Sequence, residues 1–213
     1  MYIPSSFAET SIEKLHEFID AQSFATLITH ESTCAIASHL PLLLDRKAGE
    51  QGKLIGHMAR ANTQWKDADG AEALAIFHGP HAYISPAWYG DKNVVPTWNY
   101  VALHVYGDMR IVSDREALLQ TLRDTVEKYE RSSAAPWSID RPDESFLEKL
   151  LDSIVGFEIE ISRMEGKWKL SQNHTPERRS RVVDALKQQS GEQQRQIATL
   201  MSNTLPELWG ESG

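Results

Sequence analysis

TWNYVALHVYG (97–107) places Trp98, Tyr100, Ala102, His104 and Tyr106 on one side of an extended chain, the period-two signature of a β-strand. It closes a stretch, 71–109, that differs from its surroundings. Only Glu72, Asp91, Lys92 and Asp108 are charged there, although charge makes up 24% of the chain. The same stretch holds seven of the eighteen aromatic residues. LAIFHG (74–79) reads as a second strand. Between the two, Pro80, Pro86 and Pro96 predict a loop with a short strand near Ala82–Ser85.

Outward from this centre, more short strands are joined by turns. FATLIT (24–29), CAIASHLPLLL (34–44) and KLIGHMA (53–59) are strand-like, the last two separated by the hairpin loop RKAGEQG. Thr10 and Glu13 have capping-box spacing ahead of a helix over 11–21, whose face carries Ile12, Leu15, Phe18 and Ile19. Asn62 is placed to cap a short helix over TQWKDA. Ser113 and Glu116 make a second capping box for a helix to about Tyr129, and ESFLEKLLD predicts another. IVGFEIEIS (154–162) is a strand, and MEGKWKLSQN reads as a turn with a returning strand. The tail from Pro176 to Ser202 is helix-prone, with a break at Ser190-Gly191. Hairpin-linked strands with helices between or outside them predict an α+β fold around an antiparallel sheet or small barrel. The glycine-rich loops of dinucleotide and triphosphate sites are absent.

The chain has 213 residues and a formal charge of −8. Nucleic-acid affinity comes largely from Lys and Arg against phosphates, and the one basic cluster is Arg178, Arg179 and Arg181. Direct DNA binding is therefore disfavoured. The single cysteine, Cys34, excludes an intramolecular disulfide. Without a membrane-length apolar run or a leader-like start, the expected compartment is the cytoplasm.

Four groups of residues could carry chemistry. In HMARANTQW (57–65), Arg60 and Asn62 sit where a strand gives way to a helix start, an arrangement suited to a phosphate monoester. An ordinary strand-to-helix turn with a solvated arginine has the same spacing. The aromatics of 77–107 suit a pocket for a flat ring, and equally a sheet core or a dimer interface. His39, His57, His78, His81 and His104 lack metal-ligand spacing, so no metal is expected. Ser85 and Cys34 lack the setting of a nucleophile. In KWKLSQN (167–173), Lys169, Ser171 and Asn173 fall on one side, either as a wet strand face or as donors to a ligand's oxygens.

Taken together, MYIPSSF, ASHLPLLLD, GHMARANTQW, FHGPHAYISPAWY, VPTWNYVALHVYG and IVGFEIEISRMEGKWKLSQN resemble the PaiB-type, FMN-binding negative transcriptional regulators. The resemblance runs from residue 1 to about 180. Thr63 departs from it, standing where the motif has proline. It implies a split β-barrel like that of pyridoxamine-phosphate oxidase, in a homodimer that holds FMN at the subunit interface. On this implication residues 1–175 form the FMN-binding domain and 176–213 a helical extension. Arg60, Asn62 and the helix start would receive the FMN phosphate. Ser38, His39, His57 and Met58 would line the cofactor, largely through backbone and short polar groups. Trp65, Trp98 and Asn99 would close the pocket, and Lys169 and Gln172 would reach it from the last strands or from the partner subunit. The implied role is negative transcriptional regulation, acting indirectly or through the flavin's state. The alternative is an FMN-dependent oxidoreductase of a small molecule.

Overall fold

The computed structural model describes residues 1–31 and 34–205. Residues 206–213 of the expected helical extension lie outside the described residues. Eight strands form one antiparallel sheet: β1 (Ala8–Glu9), β2 (Phe24–Glu31), β3 (Cys34–Pro41), β4 (Leu43–Asp45), β5 (Lys53–Ala59), β6 (Glu72–Ile84), β7 (Thr97–Val112) and β8 (Ile154–Lys169). The order is β3-β2-β6-β7-β8-β5-β4, with β1 on β8. Five helices complete the α+β fold: α1 (Ile12–Ala21), α2 (Arg115–Glu130), α3 (Glu144–Asp152), α4 (Pro176–Lys187) and α5 (Glu192–Asn203). None of them is long and apolar enough to cross a membrane.

Several boundaries move from those expected. The cap of α1 is Ser11 rather than Thr10, its hydroxyl accepting from the Lys14 N–H. Likewise Asp114, not Ser113, caps α2 by accepting from the Glu116 N–H. Both helices follow a Ser/Thr/Asp pair in which either member can cap, and spacing alone does not choose between them. The expected loop through Gly79 and Pro80 is instead the middle of β6. Pro80 lies past the three residues, 74–76, that pair with β2, so its missing N–H costs no bond on that side. The turn expected within MEGKWK is absent, because β8 runs unbroken to Lys169. CAIASHLPLLL divides at Leu42, which is fully buried, into β3 and β4.

The chain forms two compact units, and β6, β7 and β8 each contribute one end to either unit. The larger unit comprises residues 11–77 and 104–164. Its core joins Leu15 and Ile19 of α1 to Leu27, Leu54, Phe77 and Phe157 of the strands, all 4% exposed or less. Each such side chain contributes roughly 1.5–3 kcal/mol of burial free energy. The smaller unit comprises residues 1–10, 78–103 and 165–213. Here α4 and α5 share a core with Ile84, Tyr89 and Leu170, built from Val182, Val183, Leu186, Ile197 and Met201. Pro176 suits the first turn of α4, and the Ser190-Gly191 break lets α5 turn back onto it.

In the larger unit, β7 and β8 approach closely at Gly107. A Cβ there would stand 2.0 Å from the Glu160 carbonyl oxygen, which is backbone and cannot swing aside. Replacing Gly107 with Ala is expected to lower unfolding free energy by about 2–3 kcal/mol in urea titrations. An unchanged midpoint would contradict this packing.

Candidate functional site

The larger unit holds seven of the expected residues. Strand β5 alternates, so Met58 lies in the core at 2% exposure while His57 is on the opposite face. The Met58 side chain is thus committed to packing, and only its backbone remains for a ligand. The chain then turns through Arg60–Trp65, where Asn62 caps a single 3₁₀ turn, Thr63–Trp65, by accepting from the Gln64 N–H. The helix start expected over TQWKDA is therefore three residues long.

Side chains tie this turn to the β2–β3 hairpin. Asn62 Nδ2 donates to Ser38 Oγ at 2.8 Å. Gln64, 3% exposed, donates through Nε2 to the carbonyls of Leu27 and Ile36 at 3.2 and 3.3 Å. Trp65 Nε1 donates to the Arg60 carbonyl at 3.2 Å. His39 Nδ1 lies 3.1 Å from Thr26 Oγ1 across the hairpin, and Phe24 stacks on the His39 ring at 6.4 Å. Ser38, Asn62 and Gln64 are thus brought together, with Arg60 and Trp65 beside them.

Arg60 is exposed and already partly engaged. Its Nε and Nη2 donate to the carbonyls of Asp152 and Ile154 at 2.7 and 2.8 Å, and its backbone N–H donates to the Ser153 carbonyl. The Asp152 and Ser153 carbonyls lie at the C-terminal end of α3, where a cation is favoured by the helix dipole, and Ile154 opens β8. A guanidinium has five N–H donors, so three remain after these two bonds.

The other four expected residues belong to the smaller unit. Trp98 is 53% exposed, between the rings of His81 and Tyr83, each 6.0 Å away. Asn99 is fully buried and donates to Ser171 Oγ at 3.0 Å and to the Met201 sulfur. Lys169 Nζ donates to Thr97 Oγ1 and, at 2.6 Å, to the Trp98 carbonyl. Gln172 is spent on its own turn, accepting from the Leu170 N–H and donating to the Trp168 carbonyl. Lys169 and Gln172 are thus each engaged with different partners.

A cavity of about 290 Å³ in this unit is lined by Lys169, Ser171 and Asn173, with Thr97, Asn99 and His174 among its other polar residues. The alternation of KWKLSQN indicated that first trio even though the strand ends at Lys169. His174 carried no sequence signal, because its ring contact with Tyr89, at 4.4 Å, joins distant segments. Among the described residues, no three His, Cys, Asp or Glu side chains are placed to hold a metal ion.

Comparison with known proteins adds a family. Residues 1–163 match the family model described as "Putative FMN-binding domain". The chain is 37% identical over 206 residues to the protease synthase and sporulation protein PAI 2 of Bacillus subtilis, covering 96% of this chain and 98% of that one. An uncharacterized protein of Emericella nidulans is 31% identical over 212 residues, covering 81% and 84%. The flavocytochrome Anf3 of Azotobacter vinelandii has a similar fold, with a TM-score of 0.61 at 14% identity over 76% of this chain and 69% of its own. An FAD- and heme-binding protein of Mycobacterium smegmatis gives 0.58, also at 14% identity, over 76% and 73%.

His57 sets a pH dependence. Burial holds its imidazole below the ordinary value of 6.5, because the charged form loses hydration. The folded state prefers the neutral ring, so this contribution to stability is whole above about pH 6.5 and is lost as pH falls through the depressed folded value. Urea midpoints should therefore drop between about pH 7.5 and pH 5.5, and His57→Gln should shrink the drop. Burial also lowers His174, so the variant should not abolish it. Equal slopes in the two proteins would contradict the assignment to His57.

Proposed function

The chain belongs to the FMN-binding family whose model spans residues 1–163, and from that premise we propose that the Arg60–Asn62 turn receives the phosphate of FMN. The donor chemistry of the turn supports this reading. Three N–H groups of Arg60, the second N–H of Asn62 and the Ser38 hydroxyl remain available after the bonds described above. Arginine suits phosphate because its planar fork offers parallel charge-assisted donors. Gln64 Oε1 is a buried acceptor with no partner among the described residues, and FMN carries both ribityl hydroxyls and a ring N–H.

His57 and His39 line the cofactor on this proposal, with Met58 contributing backbone alone and Trp65 flanking the turn. FMN, when bound, supplies the hydride and electron chemistry, so the protein's part is to bind and orient. Arg60 would hold its guanidinium in place through the Asp152 and Ile154 carbonyls before any ligand arrives. Such preorganisation lowers the ordering cost of binding.

The finer architecture belongs to the same proposal. We read the open sheet as a split β-barrel and the assembly as a homodimer that shares FMN. The hairpin of β2 and β3 supports a dimer, since β3 is an edge strand with little buried surface and Phe24 is 66% exposed.

The role we propose is regulation, on the similarity to the sporulation protein of Bacillus subtilis, exerted through a partner or the flavin's state rather than by reading DNA. The state of the basic cluster carries the second half of this reading. Arg178 pairs with Asp91, Arg179 is buried and donates to Thr204 Oγ1, and Arg181 donates twice to the Tyr89 carbonyl. All three arginines are employed in holding the smaller unit together, which supports a reading without direct contact to a phosphate backbone.

Arg60→Ala should weaken FMN binding more than any single aromatic substitution does, by about 1.5–3 kcal/mol, the scale of a hydrogen bond to a charged group. Fluorescence titration with FMN measures this, with a thermal melt of the same variant to separate the loss of the α3 contacts. Unchanged affinity would overturn the phosphate assignment.

A further inference from the structure

We infer that the cavity of the smaller unit binds a small organic acid, its carboxylate received by Lys169 and its apolar body by Phe7, Val94 and Val95. The inference goes beyond the flavin reading. At about 290 Å³ the space is just below the range typical of drug-sized ligands, which suits a molecule of one ring or a short chain.

Charge is the first argument. Lys169 is partly buried, beside neighbours that neutralise nothing: its acceptors are the Thr97 hydroxyl and the Trp98 carbonyl. Among the described residues no carboxylate pairs with it. Lys167, 8% exposed, is similarly placed, donating to the Tyr2 carbonyl with its charge over the Tyr100 ring. Two carboxylates of the unit are engaged elsewhere, Asp91 with Arg178 and Glu165 with the N-terminal ammonium. Burial, and then the Arg178 and Lys169 charges, hold His174 below the ordinary histidine value. A partly buried cation without a counterion invites an anion from outside.

Backbone conformation is the second argument. Ser171 has φ 63°, the one non-glycine residue with positive φ among the described residues. Its hydroxyl is held by the fully buried Asn99 and by Tyr89, both at 3.0 Å. Strain maintained by a buried polar network is characteristic of ligand clamps, and here it fixes the cavity wall that carries Lys169, Ser171 and Asn173. One ammonium, amide donors and three apolar side chains suit a monoanion with a hydrophobic body better than a phosphate dianion.

The test uses benzoate and its neutral counterpart benzyl alcohol, titrated by calorimetry into the full-length protein with and without saturating FMN. Saturable benzoate binding at least about tenfold tighter than that of benzyl alcohol is expected, in line with a charge-assisted contact. Lys169→Met should reduce it by a similar factor, and Lys169→Arg should retain it. Val95→Glu alters a residue that is 75% exposed and should weaken binding by repulsion without disturbing the fold. Absence of saturable binding, or equal binding by wild type and Lys169→Met, would overturn the proposal. So would displacement of benzoate by FMN with a matching loss of FMN affinity in Lys169→Met, which would assign Lys169 to the flavin. Loss of FMN binding in Arg60→Ala with benzoate binding intact separates the two sites.

Discussion

The β2–β3 hairpin and the end of β5 are held together by amide side chains rather than by a strand ladder. Strand β4 pairs with only the first three residues of β5, and β3 lies beside the rest of β5 without pairing to it among the described residues. Asn62 and Gln64 bridge that interval, one to the Ser38 hydroxyl and the other to two backbone carbonyls. Buried backbone acceptors left without donors would each cost about 1–3 kcal/mol. Two amides therefore join the end of β5 to the β2–β3 hairpin and fix the position of the turn that carries Arg60.

The same constraint would make the proposed phosphate site coincide with a structural joint. Arg60 reaches the end of α3 with part of its fork and leaves the rest free. Asn62 caps a turn with its oxygen and spans to β3 with its nitrogen. Polar residues used twice in this way hold donors in place before a ligand arrives, and a short exposed turn becomes rigid without becoming buried. In the smaller unit, Ser171 plays the corresponding part, bonded to Asn99 and Tyr89 on one side and bordering a cavity on the other.

Much of this was legible from residue order, and the remainder was hidden for identifiable reasons. Strand β5 and helix α3 were read with their observed bounds, and the tail's start and glycine break were also found, because alternation, a clear start and a glycine break are local signals. The uninterrupted course of β6 and β8 was not legible. Pro80 and Gly166 suggest interruption, and only the absence of a β2 neighbour makes Pro80 harmless. At the site, Arg60 and Asn62 stood out as a pair, and Asn62 does cap the turn. That Gln64 reaches the carbonyls of Leu27 and Ile36 depends on pairings 28 to 37 residues away, which spacing cannot reveal. The end of the alternation beyond Lys169, where Ser171 takes a positive φ, likewise carries no local signal.

On the proposed reading these arrangements share a purpose: amide bridges between the β2–β3 hairpin and the end of β5 would present a preformed set of donors to the FMN phosphate. The most direct measurement is gel filtration of the full-length protein after incubation with FMN, monitored in the visible band of oxidised flavin. Flavin absorbance co-eluting with the protein in stoichiometric amount is the predicted result. A colourless protein peak, with all flavin eluting as free cofactor, would contradict the account.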